Sequence, residues 1–344
     1  MTVNFLPLVH VEITVPDAEE AYRILHDVLG AEKVQEDLAK FLDGDVVKVI
    51  HVGLGDVVLQ FIEPKLKYIE AVDRESSWYN QLETKGPGVH NLTFGLENVN
   101  EAVKELEKEG IVPLFTFELE WGNLIPSAFL NPDAKTVYMM DSMERLGFHL
   151  EFAENPFKKG VPLPQTRYVT GSDNLIGSVS PMIHIELVTP DAEKTYELLH
   201  KVFGSEKVEI EFANFLDSPF MKVIHVNLSN VVLQYCQPIV KQLSWYELLQ
   251  KNGTYVHNIT FTVENIQETV EKFKKEGITP LLTIPLDWSK LNEDFKSYKS
   301  PVYMMNTLEK LGFHLELGQT PTGDELEFFS KLLFIDLKGA LKEK

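Results

Sequence analysis

The sequence has one cysteine, comparatively few basic residues and no long apolar run. Cys236 is the single cysteine in 344 residues, which excludes an intrachain disulfide and a thiolate zinc cluster. No segment approaches the roughly 18 uncharged apolar residues that a membrane span requires. The first residues lack the basic and apolar regions of a secretory signal. These features together predict a cytoplasmic protein with no membrane association.

The charge balance argues against nucleic acid as a partner. The chain carries 32 Lys and Arg against 52 Asp and Glu, a formal net charge of −20, which repels a phosphate backbone. No glycine-rich phosphate loop occurs, so no nucleotide cofactor is expected. The apolar share of 44% is ordinary for a globular protein, and a small-molecule substrate is the expected partner.

An internal repeat is the strongest signal in the chain. Residues 7–64 and 181–238 align without gaps and share about half of their positions. SSWYNQLETKGPGVHNLTFGLENV then matches LSWYELLQKNGTYVHNITFTVENI, and TVYMMDSMERLGFHLEF matches PVYMMNTLEKLGFHLEL. The pattern predicts two copies of one domain, at 1–154 and 181–320. A linker rich in Pro, Gly and Ser is predicted at 155–180, and an amphipathic helix at 321–344.

Each copy repeats one order of predicted strands and helices. PLVHVEITV alternates as a strand does, Pro16 and Asp17 open a helix, and Gly30 ends it. KVIHVGL and VVLQFIEP flank a hairpin signal at Gly55 and Asp56, and the second half of the copy repeats the order. The chain is therefore predicted to be an α+β protein of four βαβββ modules.

Three segments, each present twice and in the same order, resemble a known family. LVHVEITVPDAEEAYRILHDVLG, GPGVHNLTFGLENVNEAVKELEKEGI and RLGFHLEF are similar to segments of the vicinal oxygen chelate superfamily. That superfamily includes glyoxalase I, methylmalonyl-CoA epimerase, extradiol dioxygenases and hydroxyphenylpyruvate dioxygenase. The resemblance implies two cupped half-barrel domains, each with one divalent metal: Zn, Mn, Co, Ni or Fe(II).

The resemblance also implies which residues hold the metal. The first-strand ligand falls on His10 and His184, the fourth-strand ligand on Gln60 and Gln234, and the closing carboxylate on Glu151 and Glu316. The family's fourth ligand is a histidine, but its position here holds Asn91 and Asn258. His90 and His257 come one residue earlier, and alternation along a strand predicts that their rings point away from the cup.

Two further pairs share a strand face with these predicted ligands. His149 and His314 lie two residues before Glu151 and Glu316, so they face the same way and are candidate substitute ligands. Two histidines and a carboxylate form a facial triad suited to Fe(II). Glu12 and Glu186 lie two residues after the first-strand histidines, as further ligands, supporting partners or a base.

The remaining candidates are weaker. Asp43 and Asp217 are candidate catalytic carboxylates, with a turn-forming role as the alternative. His51 and His225 have apolar strand neighbours and are expected to pack in the core. His26 and His200, on helices, are expected to be structural. Candidate substrate contacts are Asn91, Asn258, His90, His257, Trp78, Trp245, Tyr138 and Tyr303.

The resemblance favours a metal-dependent isomerase, epimerase or glyoxalase-type lyase. A carboxylate such as Glu151, Asp43 or Glu12 would move a proton while the metal stabilises an enolate-like intermediate. An Fe(II) dioxygenase of an aromatic or keto-acid substrate is one alternative. A non-catalytic binding protein is the other, and the Asn at 91 and 258 favours it. Both a monomer and a homodimer remain open, because two internal copies already imitate a dimer.

Overall fold

A computed structural model describes most of both predicted copies. The described residues are 5–34, 47–65, 78–118, 131, 134–155, 175–208, 218–287 and 299–320. Asp43, Asp217, the predicted C-terminal helix and residues 156–174 of the predicted linker lie outside these ranges. No helix within the described ranges is both long enough and apolar enough to cross a membrane.

The first copy contains two βαβββ modules, as the sequence predicts. The first module is β1 (Phe5–Thr14), α1 (Ala18–Leu29), β2 (Glu32–Lys33), β3 (Val47–Leu54) and β4 (Val57–Pro64). A short helix α2 (Trp78–Thr84) precedes the second module. That module is β5 (Gly88–Leu96), α3 (Val99–Lys108), β6 (Pro113–Glu118), β7 (Thr136–Met140), α4 (Met143–Leu146) and β8 (His149–Glu154).

The second copy repeats this order with one reduced element. Its elements are β9 (His184–Val188), α5 (Ala192–Phe203), β10 (Met221–Leu228), β11 (Val231–Pro238), α6 (Ser244–Asn252), β12 (Tyr255–Val263), α7 (Ile266–Lys275), β13 (Pro280–Asp287), β14 (Lys299–Met305), α8 (Leu308–Leu311) and β15 (His314–Gln319). The counterpart of β2 is a single bridge between Lys207 and Val226. The predicted α+β fold is confirmed.

Each copy forms one mixed sheet whose two modules meet at the centre. The strand orders are β2-β3-β4-β1-β5-β8-β7-β6 and β10-β11-β9-β12-β15-β14-β13. In the first sheet β1 pairs in parallel with β4 and antiparallel with β5, and β5 pairs in parallel with β8. Side chains from β1, β4, β5 and β8 therefore meet on one sheet face.

Helix α1 shows why the two faces of the sheet differ. The Asp17 carboxylate accepts a hydrogen bond from the Glu20 N–H at 2.9 Å, and Gly30 ends the helix in the left-handed region at φ 71°. The helix buries Ile24 and Leu25 in the same apolar core as Val11 of β1. Because strand side chains alternate, the intervening residues of β1 face away from the helix. We call this opposite face the cup; the first cup belongs to the first sheet and the second cup to the second.

The two copies dock through equivalent contacts made in both directions. The Leu8 N–H donates to Asn230 Oδ1 at 2.8 Å, and the equivalent Met182 N–H donates to Asp56 Oδ1 at 2.7 Å. The ion pair Arg23–Glu276 at 2.7 Å has a counterpart in Lys201–Glu109 at 2.6 Å, in which the two glutamates are equivalent and the two cations are not. One continuous apolar core includes residues of both copies. The docking imitates a two-fold dimer within one chain.

Gly312 is expected to be essential for this docking. It has φ +77°, and a Cβ there would meet Ile13 Cγ2 and lie 3.1 Å from the Gly88 backbone N of the other copy. Left-handed strain and overpacking together predict that Gly312→Ala lowers the free energy of unfolding by about 2–4 kcal/mol. Urea unfolding measures this difference.

Gly277 provides a matched control for that variant. Its φ is +75°, but apart from its chain neighbours no atom of the described residues lies within 4 Å of an added Cβ. Gly277→Ala should therefore pay only the backbone strain, about 1–2 kcal/mol. Equal losses in the two variants would show that Gly312 matters only for its backbone conformation and not for the contact between copies.

Candidate functional site

The first cup gathers polar side chains from β1, β3, β4, β5 and β8. All are buried or partly buried, which is unusual for so many ionisable groups on one sheet face. They are His10, Glu12, His51, Gln60, His90, Asn91, Thr93, His149 and Glu151. The second cup repeats the set as His184, Glu186, His225, Gln234, His257, Asn258, Thr260, His314 and Glu316.

A β-bulge overturns the expectation that His90 and His257 point away from the cup. Glu12 pairs with Asn91, but Ile13 pairs with Val89, so His90 is an extra residue in β5. The same shift occurs in β12 at His257. The bulge interrupts the alternation of faces, and His90 Nδ1 lies 3.1 Å from the Glu12 carboxylate and 2.9 Å from Asn91 Oδ1. Both residues of each His-Asn pair therefore face the cup.

Glu12 and Glu186 are buried carboxyl groups held by aromatic donors. The Trp78 indole N–H donates to Glu12, which also contacts His90. In the second cup Glu186 accepts from the Trp245 indole at 3.1 Å and contacts His257 Nδ1 at 2.8 Å. The predicted roles of Trp78 and Trp245 as substrate contacts are untested, but both tryptophans lie within the cups.

A threonine in each cup connects the predicted ligands. Thr93 Oγ1 lies 2.9 Å from His10 Nε2 and accepts from Asn91 Nδ2 at 3.1 Å. The same amide donates to Glu151 at 3.3 Å. In the second cup Thr260 contacts His184 at 2.9 Å, and Asn258 donates to Glu316 at 2.8 Å. Sequence reasoning missed these threonines, although each lies two residues after Asn91 or Asn258 on the same strand.

His51 and His225 are also cup residues, against the expectation of a core role. His51 pairs with Gln60 across β3 and β4, and its ring centroid lies 6.0 Å from that of His10. His225 Nε2 lies 2.9 Å from Gln234 Oε1. The apolar neighbours in sequence belong to the opposite sheet face, because alternation separates them from these rings.

Tyr138 and Tyr303 lie on the helix face and not in the cups, where the sequence predicted them as substrate contacts. Tyr138 pairs with Phe152, a core residue on the helix face, and its hydroxyl donates to Asn100 Oδ1 at 3.1 Å. The Tyr303 hydroxyl accepts from Gln267 on α7 at 3.0 Å. Register explains the difference, since the neighbours Met139 and Met304 are the residues opposite Glu151 and Glu316.

Burial keeps His10, His149 and His184 neutral. Burial, reinforced by His51, lowers the pKa of His10 to about 3, and burial with His225 has the same effect on His184. Burial and the neighbouring His90 lower the pKa of His149 to about 3. Neutral imidazoles are the form that coordinates metals.

The two carboxyl groups of the second cup have opposite shifts. Burial, aided by Glu186, raises the pKa of Glu316 to about 8. Burial also acts to raise the pKa of Glu186, but hydrogen bonds from His257 and Trp245 outweigh it and the pKa is lowered. In the first cup burial and Glu12 raise the pKa of Glu151 to about 8. Carboxyl pairs whose pKa values are pushed apart are typical of acid–base sites.

The neutral histidines predict that the metal-free protein loses stability in acid. Unfolded histidine binds a proton near pH 6.5, whereas folded His10 does so only near pH 3, so the unfolded state gains protons first. Each such histidine should lower the free energy of unfolding by about 1.4 kcal/mol per pH unit, from pH 6.5 down to about pH 3. Thermal unfolding in EDTA from pH 7 to pH 4 measures this loss. His10→Gln with His184→Gln should flatten the dependence, and an unchanged slope would contradict it.

The donor chemistry of the cup fits a divalent metal that uses an amide oxygen. Gln60 Oε1 is buried without a hydrogen-bond partner among the described residues. Its lone pairs are therefore available to coordinate a cation. No three His, Cys, Asp or Glu side chains in the described part of the chain are arranged to hold a metal by themselves. His149 lies beside His90, with ring centroids 4.9 Å apart, and its Nδ1 is 3.0 Å from the Met140 carbonyl. The Nδ1 contact leaves Nε2 of His149 free. His10, Gln60, Glu151 and His149 therefore all remain candidate donors.

Comparison with known proteins supports the family that the sequence resembles. Residues 9–118 match the model of the glyoxalase/bleomycin resistance protein/dioxygenase superfamily. Human mitochondrial methylmalonyl-CoA epimerase is 31% identical over 130 residues, 38% of this chain and 68% of that protein. The mouse protein of the same name is 30% identical over 123 residues, 36% of this chain and 64% of that protein.

Solved structures with the same fold extend over nearly the whole chain. A mutant of 4-hydroxymandelate synthase from Streptomyces coelicolor aligns with a TM-score of 0.56 at 14% identity, covering 99% of both chains. The Mn(II)-bound glyoxalase from Novosphingobium aromaticivorans aligns with a TM-score of 0.51 at 10% identity, covering 92% of this chain and 83% of that one. With the sequence matches, the two cups and their polar faces place the chain in the glyoxalase/bleomycin resistance/dioxygenase, or vicinal oxygen chelate, superfamily.

Proposed function

We propose that the chain is a metal-dependent isomerase, epimerase or glyoxalase-type lyase that moves a proton on a small oxygenated substrate through an enolate-like intermediate. The observation that carries this proposal is the buried Glu12 carboxyl group, held by Trp78 and His90 inside the cup. Glu186 repeats the arrangement with Trp245 and His257. A carboxylate fixed by two donors and outside the ligand set His10, Gln60 and Glu151 is suited to act as a base.

Each polar residue of the first cup would have a separate role in the proposed reaction. His10, Gln60 and Glu151 would hold the metal, with Asn91 beside Glu151. When bound, a divalent cation would act as a Lewis acid towards two neighbouring substrate oxygens. Glu12 would take the substrate proton at its carboxylate, and Trp78 and His90 would keep that carboxylate oriented.

The likeness to methylmalonyl-CoA epimerase supports an isomerase within this range. Inversion of a carbon centre next to a carbonyl requires that a proton be removed and returned. The matched region of the relative is 31% identical over 130 residues. A positioned carboxyl group in each cup supplies the proton acceptor that such chemistry needs.

Proton exchange in deuterated water tests the proposal. Purified protein, loaded in turn with Zn²⁺, Mn²⁺, Co²⁺ or Ni²⁺, would be incubated in D₂O with methylmalonyl-CoA and with a ketoaldehyde–thiol hemithioacetal. Metal-dependent deuterium incorporation at the carbon next to the carbonyl is the expected result, followed by NMR. Oxygen uptake with Fe(II) and a keto acid would instead favour the dioxygenase. Metal-free binding without turnover would favour a binding protein.

A further inference from the structure

We propose that the two cups are not equivalent: the first cup is open to its metal, whereas Gln234 closes the second cup with a complete set of hydrogen bonds. This inference rests on the proposed metal-dependent function. It assigns the site with the higher metal affinity, and hence the principal activity, to the first copy. Cys236 is proposed as the residue that separates the two cups.

Every polar atom of the Gln234 amide is occupied. Its Oε1 lies 2.9 Å from His225 Nε2. Its Nε2 donates to Glu186 Oε2 at 2.8 Å and to Cys236 Sγ at 3.4 Å. The two donors and the acceptor of the group are therefore used within the protein, and the side chain is only 3% exposed.

The amide oxygen of the equivalent Gln60, in the first cup, differs from that of Gln234 in its hydrogen bonding. It is 2% exposed, but its Oε1 has no hydrogen-bond partner in the described part of the chain. The opposing residue is the same, since His51 faces Gln60 as His225 faces Gln234. A buried amide oxygen without a hydrogen-bond partner destabilises the folded protein unless a ligand binds to it. The first cup is therefore prepared for a cation at Gln60 Oε1.

One sequence difference accounts for the contrast. Cys236 follows Gln234 by two residues on β11 and thus shares its sheet face. The first copy has Ile62 at that position, in an apolar cluster with Val47, Val49 and Trp78. A thiol accepts the second amide proton, whereas an isoleucine side chain has no acceptor. The thiol therefore stabilises the closed orientation of the amide, and the isoleucine does not.

The consequence is unequal metal affinity. A cation at Gln234 Oε1 competes with the contact to His225, and a rotation of the amide to present the oxygen would also break its bond to Glu186. Loss of one or two such hydrogen bonds weakens binding by about tenfold or more. Among the residues that the structure describes, no hydrogen bond to Gln60 Oε1 opposes a cation there.

Calorimetric titration with Co²⁺ alone measures this difference. His184→Ala leaves only the first cup intact, and His10→Ala leaves only the second. We expect the Kd of His10→Ala to be about tenfold or more above that of His184→Ala. Equal values, or the reverse order, would overturn the inference. Absence of Co²⁺ binding in the unmodified protein would instead reject the proposed metal-dependent function.

Exchanging the residues at positions 62 and 236 tests whether Cys236 causes the difference in metal affinity between the two cups. In the His10→Ala background, Cys236→Ile should release the Gln234 amide and lower the Kd for Co²⁺. In the His184→Ala background, Ile62→Cys should raise the Kd. Thermal unfolding confirms that each variant is folded. If neither exchange moves the Kd, Cys236 does not close the second cup.

Side-chain amide exchange tests the closed state without any metal. In NMR spectra of the full chain in EDTA, both amide protons of Gln234 should exchange slowly with solvent, because Glu186 and Cys236 accept them. Cys236→Ile should accelerate the Gln234 exchange by about tenfold or more. An unchanged rate in Cys236→Ile would overturn the proposed role of Cys236 even if metal binding is confirmed.

Discussion

Glu12→Gln combined with Glu186→Gln is expected to lower the rate of deuterium incorporation by about 10²–10⁴-fold. The substitution keeps the size of the side chain and an oxygen that accepts from Trp78 or Trp245, but it removes the group that takes the proton. The metal ligands are unchanged, so metal content should remain at the value of the unmodified protein. The rate would be followed by NMR under saturating substrate.

The matched control for this double variant is Glu107→Gln. Glu107 is exposed on α3, on the outer side of the first sheet, and its substitution should leave the exchange rate unchanged. If Glu12→Gln with Glu186→Gln retains the full rate, neither carboxylate is the base. The coordinating carboxylates Glu151 and Glu316 would then be the next candidates.

The duplication made most of the fold predictable from the sequence. Two copies of the same strand and helix signals confirm one another, and local chemistry determines the boundaries. Asp17 caps α1 and Gly30 ends it, while Gly55 and Asp56 lie at the turn between β3 and β4. The docking of the copies was not predictable in the same way. It depends on long-range contacts, such as that between Leu8 and Asn230, which leave no periodic pattern.

The positions of the site residues were predictable from the sequence where the strands are regular. The predictions failed where a strand is irregular. His10 and Glu12 share a face by simple alternation, and the structure places both in the first cup. His90 breaks that alternation because an extra residue enters β5, and a single sequence read by itself does not reveal a bulge. His51 was misjudged from its apolar neighbours in sequence, which face the other side of the sheet.

His10→Ala combined with His184→Ala is expected to abolish stoichiometric metal binding. Each histidine lies on an interior strand of its sheet and is kept neutral by burial, so its ring is ready to coordinate without first losing a proton. Removal of one ligand from a set completed by an amide oxygen leaves too few strong donors to retain the cation. Metal content after equilibrium dialysis against Zn²⁺ should fall from at least about one ion per chain to background.

Two other paired histidines show whether this loss is specific. His26 and His200 are exposed on α1 and α5, where their Nδ1 atoms lie 2.8 Å and 2.9 Å from the carbonyls of Ala31 and Ser205. His26→Ala with His200→Ala removes the same number of imidazoles from equivalent places but leaves both cups intact. Metal content should then stay at the unmodified value. If both double variants lose metal equally, binding is a property of surface histidines and not of the cups; if neither does, His10 and His184 are not ligands.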